Sequence, residues 1–395
     1  MSLIPADNHL AVLAALFVIA GAGFLLEKTR YGALLTGAVW AIFIAIFAAN
    51  LSIIPHSAPA YDFVWTYFVP LLIPLFLMKA DMKKILFETT RMTGAFMLAA
   101  LGTVLGAVVA FSLVDIGAYP AGMETGEFSR QAGAVGMFTA TYIGGSVNYA
   151  ALIETTGMGR YDPSFVAAST AVDNLYSGLF LAVLAVIPGW NWAARRFVQR
   201  DHTEENLAQS VEVASGRVTA ATLTFSAAFA LIIVVLGDFL TAQLSHMFPT
   251  SAGKWRFAII SVLALIPATA FPKTMARMHG GYELGIGLSF VFFAMIAAGA
   301  DIVTLIHQAP ILILIIGILL SVHATVTFGL GAMFKLSLPE LITASNAAIL
   351  GATTAPALAA AKGWKDLVTP GVLVGVFGYA LGTIIATLVA SLWPV

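Results

Sequence analysis

The residue whose type and position most clearly point to a chemical role is Asp173, an acidic side chain inside a long apolar run. It follows Pro163 by ten positions, about 15 Å along a helix, which is near the middle of a ~30 Å hydrocarbon layer. A charge at that depth costs at least ~2.5 kcal/mol, so it persists only when it is paired, ion-bound or protonated. Ser169 and Thr170 share its helix face, and Asn174 is adjacent. This oxygen-rich group suits Na⁺; a protonated Asp173 would instead carry H⁺, and a structural carboxylate bonded to a neighbouring helix is a third alternative.

Two further segments, 139–149 and 343–356, interrupt apolar runs with small and polar residues. Gly144-Gly145 and Pro356 are poor helix-interior residues, and backbone freed from a helix in lipid must find partners in protein or in a water-filled cavity. Discontinuous helices in transporters present such backbone to ions and solutes. We therefore predict that Asn148 joins Asp173 at the ion site, and that the solute site comprises Thr141, Gly144, Gly145, Ser146, Ser345, Asn346, Thr353 and Thr354. The alternative is close helix packing, with the hydroxyls bonded to their own helix.

The composition explains how these groups must be positioned. The chain is 60% hydrophobic and only 10% charged, whereas a soluble domain is about one quarter charged, so lipid must be the solvent for much of the surface. The net charge of −1 gives no electrostatic case for a nucleic-acid partner. Cysteine is absent, which excludes thiolate chemistry. We expect no cofactor beyond a coupling ion. The sequence contains no enzyme motif, so we do not expect an enzyme. A membrane-embedded enzyme that uses Asp173 and His323 as acid and base is a remote alternative.

Twelve apolar runs are long enough to span a bilayer. They lie near 9–27, 32–50, 62–79, 91–114, 131–156, 163–187, 217–240, 256–271, 283–304, 310–334, 340–361 and 366–393. One long polar stretch, from Asn191 to Arg217, divides them. We predict a first membrane repeat at 1–190, a solvated linker with an amphipathic piece at 191–216, and a second repeat at 217–395. The fold class is an all-α polytopic membrane protein.

The two halves have similar patterns. A span ends in Ala80-Asp81 or Ala300-Asp301, and a Gly-poor span and then an interrupted segment follow in each half. The basic residues of equivalent loops fall on opposite sides, which predicts inverted repeats. Six crossings per half would instead make the repeats parallel. One crossing is therefore miscounted, and we place the miscount between Pro163 and Arg217.

With these motifs identified, the chain resembles a family of bacterial and plant membrane proteins catalogued as domain of unknown function 819. The resemblance is most specific in 142–148 (Tyr-Ile-Gly-Gly-Ser-Val-Asn), 171–174 (Ala-Val-Asp-Asn), 344–347 (Ala-Ser-Asn-Ala) and 361–364 (Ala-Lys-Gly-Trp), followed by Pro370-Gly371. The family is similar to a clan of sodium/proton antiporters, bile-acid sodium symporters and 2-hydroxycarboxylate transporters. That resemblance implies inverted repeats, each with a broken helix that crosses its partner in a mobile core, and elevator transport against a dimeric scaffold.

Carried onto this chain, the resemblance implies a scaffold from about 9–79 and 217–304 and a core from about 91–187 and 310–393. Asp173-Asn174 occupies the place of the antiporters' acidic pair. Because one member is Asn, it implies a single titrating group. We expect a multi-pass protein of the bacterial inner membrane that couples Na⁺ or H⁺ to transport of a small anionic or zwitterionic organic solute. The resemblance also implies a homodimer. A monovalent cation/proton antiporter is the alternative.

Overall fold

The computed structural model describes residues 2–29, 37–120, 127–190, 195–203, 217–248 and 252–394. Within those ranges every regular element is a helix and no strand occurs. Nine of the helices there are long and apolar enough to cross a membrane, and Gly37–Asn50 is a shorter apolar helix. The structure therefore confirms an all-helical, polytopic membrane protein.

Apart from short segments such as Met158–Tyr161 and Pro272–Ala276, the described helices fall into two sets of seven on either side of the polar stretch. The first set is α1 His9–Glu27, α2 Gly37–Asn50, α3 Pro59–Leu77, α4 Thr90–Leu113, α5 Arg130–Gly144, α6 Ser146–Thr156 and α7 Pro163–Val186. The second set is α8 Ala220–Met247, α9 Arg256–Ala270, α10 Gly281–Ala298, α11 Ile302–Met333, α12 Leu338–Leu350, α13 Thr354–Ala361 and α14 Lys365–Leu392.

Contacts between helix termini define two ends of the bundle. At the first end, the Asn50 side chain that closes α2 donates to the Ala300 carbonyl beyond α10, and the Asp301 amide donates to Ser164 at the start of α7. At the second end, the Met82 amide beyond α3 donates to Thr269 near the end of α9. Followed along the chain, the nine long helices and α2 run alternately from one end to the other.

The pair α5 and α6 does not cross the bundle; it forms a first hairpin. Arg130 at the start of α5 forms an ion pair with Asp162, which caps α7, at 2.7 Å between Nη2 and Oδ2. The same guanidinium donates to the carbonyl of Ile116, just beyond α4. A Cβ at Gly133, in the first turn of α5, would lie 3.5 Å from the Cβ of Thr156 at the end of α6. The first hairpin therefore enters and leaves at the first end.

The pair α12 and α13 forms a second hairpin that enters from the second end. Nε2 of His202 lies 2.8 Å from Ser337, which caps α12, and Nδ1 lies 2.9 Å from Asp366 in the first turn of α14. Arg91 at the start of α4 also pairs with Glu340, in the first turn of α12, at 2.8 Å. The two termini of the second hairpin thus lie together at one end.

These hairpins correct the sequence-based count of twelve crossings. Runs 131–156 and 340–361 are long enough to cross the bilayer, but each reverses at its glycine, so their prediction as membrane crossings is wrong. The miscount lies in these two runs and not between Pro163 and Arg217. Ten helices that cross then remain among the described residues, namely the nine long ones and α2.

A glycine makes each reversal. Gly145 has φ 76° and ψ −163°, and Gly351 has φ 90° and ψ −169°. This region of the backbone map is essentially restricted to glycine. The helices before and after each glycine therefore stop there. The sequence predicts an interruption in each segment, from Gly144-Gly145 in the first and from Pro356 in the second; both segments are interrupted, but the second stops at Gly351, and Pro356 lies inside α13.

The polar stretch is described only at 195–203, so most of the predicted linker, 191–194 and 204–216, lies outside the described residues. Asp201 is exposed, as a solvated linker predicts, but His202 is only 5% exposed. Phe197 packs against Phe328 of α11 with ring centroids 6.3 Å apart. This piece of the linker is docked on the second end of the bundle.

Positive charges are unevenly divided between the two ends. The chain has 19 Lys and Arg residues, of which Arg30 lies outside the described ranges. Four of the described ones belong to the first end: Arg130, Arg160, Lys254 and Arg256. Fourteen belong to the second end: Lys28, Lys79, Lys83, Lys84, Arg91, Arg195, Arg196, Arg200, Arg217, Lys273, Arg277, Lys335, Lys362 and Lys365.

The two hairpins predict a labelling pattern that crossing helices cannot give. Because the chain contains no cysteine, single cysteines can be introduced at exposed positions flanking each hairpin: Glu127→Cys and Arg160→Cys for the first, Lys335→Cys and Lys362→Cys for the second. We expect a membrane-impermeant maleimide to reach both members of a pair from the same face, and the two pairs from opposite faces. Labelling of two members of one pair from different faces would mean that their segment crosses.

Candidate functional site

The carboxyl group of Asp173 is buried where α7 passes the tip of the first hairpin. The helix begins at Pro163, and the Asp162 side chain accepts a hydrogen bond from the Phe165 amide, which fixes the start of the helix. Asp173 is 9% exposed, and Thr141 of α5 donates to its Oδ2 at 3.3 Å. Its Oδ1 has no hydrogen-bond partner.

Other unpartnered oxygens surround this carboxyl group. The hydroxyl of Ser169 is buried without a partner and lies one helical turn before Asp173 on the same face of α7. The Tyr142 phenol faces Asp173 without a well-formed hydrogen bond, and Thr139, also unpartnered, lies one turn before Tyr142. Three of the nine unpartnered buried side-chain atoms in the described part of the chain belong to Asp173, Tyr142 and Ser169. A buried polar atom without a partner is costly, so their concentration here indicates space for a ligand.

Two of the predicted ion-site residues are instead bonded within α7. Thr170 donates to the Val166 carbonyl at 2.7 Å, and its oxygen lies 3.1 Å from the Tyr149 hydroxyl. The Asn174 amide donates to the Thr170 carbonyl at 2.7 Å. Thr170 therefore borders the group around Asp173, while Asn174 satisfies its own helix.

Asn148 joins the first hairpin to α14. Its amide nitrogen donates to the Gly378 carbonyl at 2.8 Å, and its carbonyl oxygen accepts from Thr383 at 2.9 Å. Gly144 packs directly against the Gly378 backbone, where a Cβ would collide with the carbonyl. In the structure Asn148 is committed to α14 and makes no hydrogen bond to Asp173.

The polar residues of the second hairpin bond mainly to one another. The Thr354 hydroxyl donates to the Asn346 carbonyl oxygen at 2.8 Å, and the Asn346 amide donates to the Thr354 carbonyl at 3.2 Å. Ser345 lies 2.8 Å from Nε2 of His323. These contacts hold the end of α12 to the start of α13, so the tip is closed by side chains from both arms.

The two tips meet the same stretch of α14. Gly378 contacts the first tip at Gly144, and Gly375, one turn earlier, contacts Ala352 of the second tip. Each tip has an exposed residue just after its reversal: Ser146 directly follows Gly145, and Thr353 follows Gly351 by two positions. The structure thus brings the two predicted solute-binding segments to one level of the bundle.

Sequence reasoning missed Tyr142, Tyr149 and Thr103 as neighbours of the site. Tyr142 and Thr139 lie within the interrupted segment, and their i, i+3 spacing puts them on one face of α5. That spacing was the available signal. Thr103 is a single hydroxyl in an apolar span, and only the structure shows that it donates to the Tyr142 carbonyl at 2.9 Å.

The group around Asp173 suits a monovalent cation or a proton. It offers one carboxylate with hydroxyl oxygens, which are ligands for hard cations. No cluster of three or more His, Asp or Glu occurs in the described parts of the chain. The arrangement therefore offers one carboxylate among neutral oxygen ligands.

Comparison with known proteins agrees with the motifs around the two tips. Residues 14–393 match the family described as "Protein of unknown function (DUF819)". The chain belongs to this family. One relative is 31% identical over 99% of this chain and 98% of its own length: the protein described as "Uncharacterized membrane protein YjcL" from Bacillus subtilis (strain 168). Family membership and nine candidate spans together identify a multi-pass membrane protein of the DUF819 family.

Asn148 provides a test of the contact between the first hairpin and α14. Asn148→Ala leaves the Gly378 carbonyl and the Thr383 hydroxyl without this partner in a buried place, so we expect the free energy of unfolding to fall by about 1–3 kcal/mol. The matched control is Ser146→Ala, two residues away on the same helix but exposed, which should change stability by less than about 0.5 kcal/mol. Reversible unfolding in mixed micelles measures both. Equal effects would show that the Asn148 hydrogen bonds do not hold the hairpin to α14.

Proposed function

We propose that this DUF819 protein is a cation-coupled secondary transporter of a small anionic or zwitterionic organic solute. The observation that carries the proposal is the buried carboxyl group of Asp173 at a hairpin tip: its Oδ1 has no well-formed hydrogen bond, and the unpartnered hydroxyl of Ser169 lies one turn earlier on the same face of α7. An isolated carboxylate in a membrane-spanning bundle is costly. Binding of Na⁺ or H⁺ removes that cost, so ion occupancy can be linked to the conformation of the hairpin.

The solute site in this proposal lies between the two hairpin tips. Thr141, Gly144, Gly145 and Ser146 contribute from the first tip, and Ser345, Asn346, Thr353 and Thr354 from the second. Helices α6 and α13 both begin at these tips, and the N-terminus of a helix carries partial positive charge and free amide donors. Two such termini at one level favour a solute with a carboxylate or a similar anionic group.

We propose that the two halves are inverted repeats. With both hairpins excluded, five crossings belong to each half, and an odd offset reverses the orientation of equivalent helices. Corresponding residues also act alike: Asp81 accepts hydrogen bonds from the amides of Lys83 and Lys84, and Asp301 accepts one from the amide of Thr304. Each caps the helical segment that follows the third span of its half.

The proposed division into scaffold and mobile core is supported by the helix packing. Helix α4 packs along α11, and α14 packs along α5, whereas α2 packs against α1 and α10, and α3 against α8 and α9. In the proposed elevator mechanism, α4 to α7 and α11 to α14 move as the core against the remaining helices. Two parts of this proposal, the moving core and a homodimer formed through the scaffold, come from the resemblance to the transporter clan.

The orientation proposed here follows from the unequal charges. Cytoplasmic loops of inner-membrane proteins are rich in Lys and Arg. The second end carries fourteen of the described basic residues and the first end four. In a bacterial inner membrane the second end would then face the cytoplasm, and the first hairpin would open from the outer face.

We propose that the protein is a transporter and not an enzyme. The acid–base pair considered for an enzyme, Asp173 and His323, has separate partners: Asp173 accepts from Thr141, while His323 contacts Thr103 and Ser345. This arrangement favours two separate sets of contacts over a common acid–base site. A cation/proton antiporter without an organic solute is the second candidate, because the same carboxylate could exchange Na⁺ for H⁺.

The sodium site predicts a ligand-dependent change in stability. When Na⁺ replaces choline, we expect the unfolding temperature of the purified wild-type protein to rise, because an ion at 100 times its dissociation constant adds ~2.7 kcal/mol when only the folded state binds it. Asp173→Asn should abolish the rise. The control Asp301→Asn changes an exposed helix cap and should keep it.

The pattern of responses separates the alternatives. A rise that survives in Asp173→Asn would remove Asp173 from the sodium site. No sodium response in wild type, together with a pH-dependent shift that Asp173→Asn abolishes, would identify H⁺ as the ion. Uptake of labelled carboxylates and amino acids into proteoliposomes then tests the solute, and cation-driven proton movement without any solute would favour the antiporter.

A further inference from the structure

Helices α4 and α11 meet at a buried polar contact. Nδ1 of His323 lies 2.9 Å from the Thr103 hydroxyl oxygen, and both side chains are fully buried. The two backbones are in close contact here, since a Cβ at Gly102 would lie 2.9 Å from the His323 carbonyl oxygen. Polar side chains in such an apolar interface are costly unless every hydrogen bond is made.

Each of these two residues also bonds one hairpin. Thr103 donates to the carbonyl of Tyr142 in the first hairpin at 2.9 Å, and Nε2 of His323 lies 2.8 Å from the Ser345 hydroxyl in the second. Tyr142 follows Thr141, the residue that donates to Asp173. A continuous chain of buried hydrogen bonds therefore connects the tip beside the carboxylate to the other tip.

One assignment of donors fits these contacts. Thr103 donates its single hydroxyl proton to the Tyr142 carbonyl, which can only accept. We assign the neutral His323 ring with its proton on Nδ1, so that Nδ1 donates toward Thr103 and Nε2 accepts from Ser345. In this assignment, displacement of either tip separates a buried group from its partner.

The position of the Thr103–His323 contact in the bundle favours a role in linking the two hairpins. Thr103 lies ten residues before Leu113, the end of α4, and His323 lies ten residues before Met333, the end of α11. The two residues thus occupy corresponding places in the two halves. The His323 ring also meets the edge of Phe180, on the helix that carries Asp173, with centroids 5.8 Å apart.

We infer that Thr103 and His323 are positioning residues that couple the two hairpin tips, so that a change at Asp173 alters the second tip. Their four hydrogen-bonding groups act as one joint: the Tyr142 carbonyl, the Thr103 hydroxyl, the His323 ring and the Ser345 hydroxyl. In transport, this joint would keep the two tips from moving independently. The inference deepens the proposed function, and it relies on that function only where sodium is the perturbation.

The absence of cysteine allows a direct measurement at the second tip. Thr353→Cys introduces a thiol at an exposed position there, and its rate of reaction with a maleimide reports on the tip. The perturbation is Asp173→Asn at the first tip. We expect Asp173→Asn to change the labelling rate of the cysteine at 353 about fivefold or more, the lower end of ordinary coupling between sites.

The joint is then broken by Thr103→Val, which keeps the shape of the side chain and removes the hydroxyl. In that background the effect of Asp173→Asn on the labelling rate at 353 should fall below about twofold, well under ordinary site-to-site coupling. Thr103→Ser retains the hydroxyl and should restore the effect. Ser345→Ala breaks the joint from the other side, so it should act like Thr103→Val.

Ser146→Cys, at the exposed first tip, is the matched control. It lies on the same side of the joint as Asp173. The effect of Asp173→Asn on the labelling rate at 146 should therefore be the same in every background. An unchanged response at 353 in both Thr103→Val and Ser345→Ala would overturn the inference. The inference would also be overturned if Asp173→Asn left the labelling rate at 353 unchanged while Thr103 is intact. The same holds if Thr103→Val removed the effect of Asp173→Asn on the labelling rate at 146.

Sodium provides a second perturbation with a separate outcome. In wild type, Na⁺ should raise the unfolding temperature and change the labelling rate at 353; in Thr103→Val only the rise in unfolding temperature should remain. Absence of the temperature rise in wild type contradicts the proposed sodium site, while the comparison with Asp173→Asn still decides whether the joint couples the tips.

Discussion

A helix that stops inside an apolar bundle leaves amide and carbonyl groups without partners, and other protein groups or a water-filled cavity must satisfy them. The rest of this molecule depends on how two such stops are accommodated. At the first tip the side chain of Asn148 takes up a carbonyl of α14, and at the second tip Asn346 and Thr354 close on each other. The residues that surround the tips are therefore small or hydroxylated, and they lie at one level of α14.

The same constraint explains why a chemical site lies there. Most hydroxyls near the tips are used to satisfy backbone, as with Thr170 and the Val166 carbonyl. The group around Asp173 differs, because three of its oxygens are buried and unpartnered: Asp173 Oδ1, the Tyr142 phenol and the Ser169 hydroxyl. Thr139 in the first hairpin and Thr343 in the second are also buried without a partner. In the proposed function, a bound ion supplies the partner that the oxygens around Asp173 lack.

Much of the fold could be predicted from sequence, because hydropathy and glycine spacing are local signals. The runs predicted most of the helices, and Gly144-Gly145 predicted the interruption at the first tip. Hydropathy could not distinguish a hairpin from a crossing, since 131–156 is long enough for either. The conflict between the charge pattern and an even number of crossings per half did carry that information, but the miscount was assigned to the wrong segment.

The site was only partly accessible to the same reasoning. Asp173 stands out because its charge conflicts with its surroundings, and Ser169 follows from helical periodicity. Asn148 was assigned to Asp173, but its direction depends on whether α6 turns toward α7 or α14, and this is a tertiary contact. Ser345 and Thr103 could not be linked from sequence, because His323 joins them across two helices that are more than two hundred positions apart.

The opposed entry of the two hairpins has a consequence for access to the site. The first hairpin is anchored at the first end by Arg130 and Asp162, and the second is anchored at the other end by Arg91 and Glu340. Each hairpin therefore lies between the shared level of the tips and its own end of the bundle. In the proposed transporter, tips that moved independently could open both routes together and dissipate the ion gradient. The coupling inferred for Thr103 and His323 would prevent this, because their buried contact bonds to both hairpins.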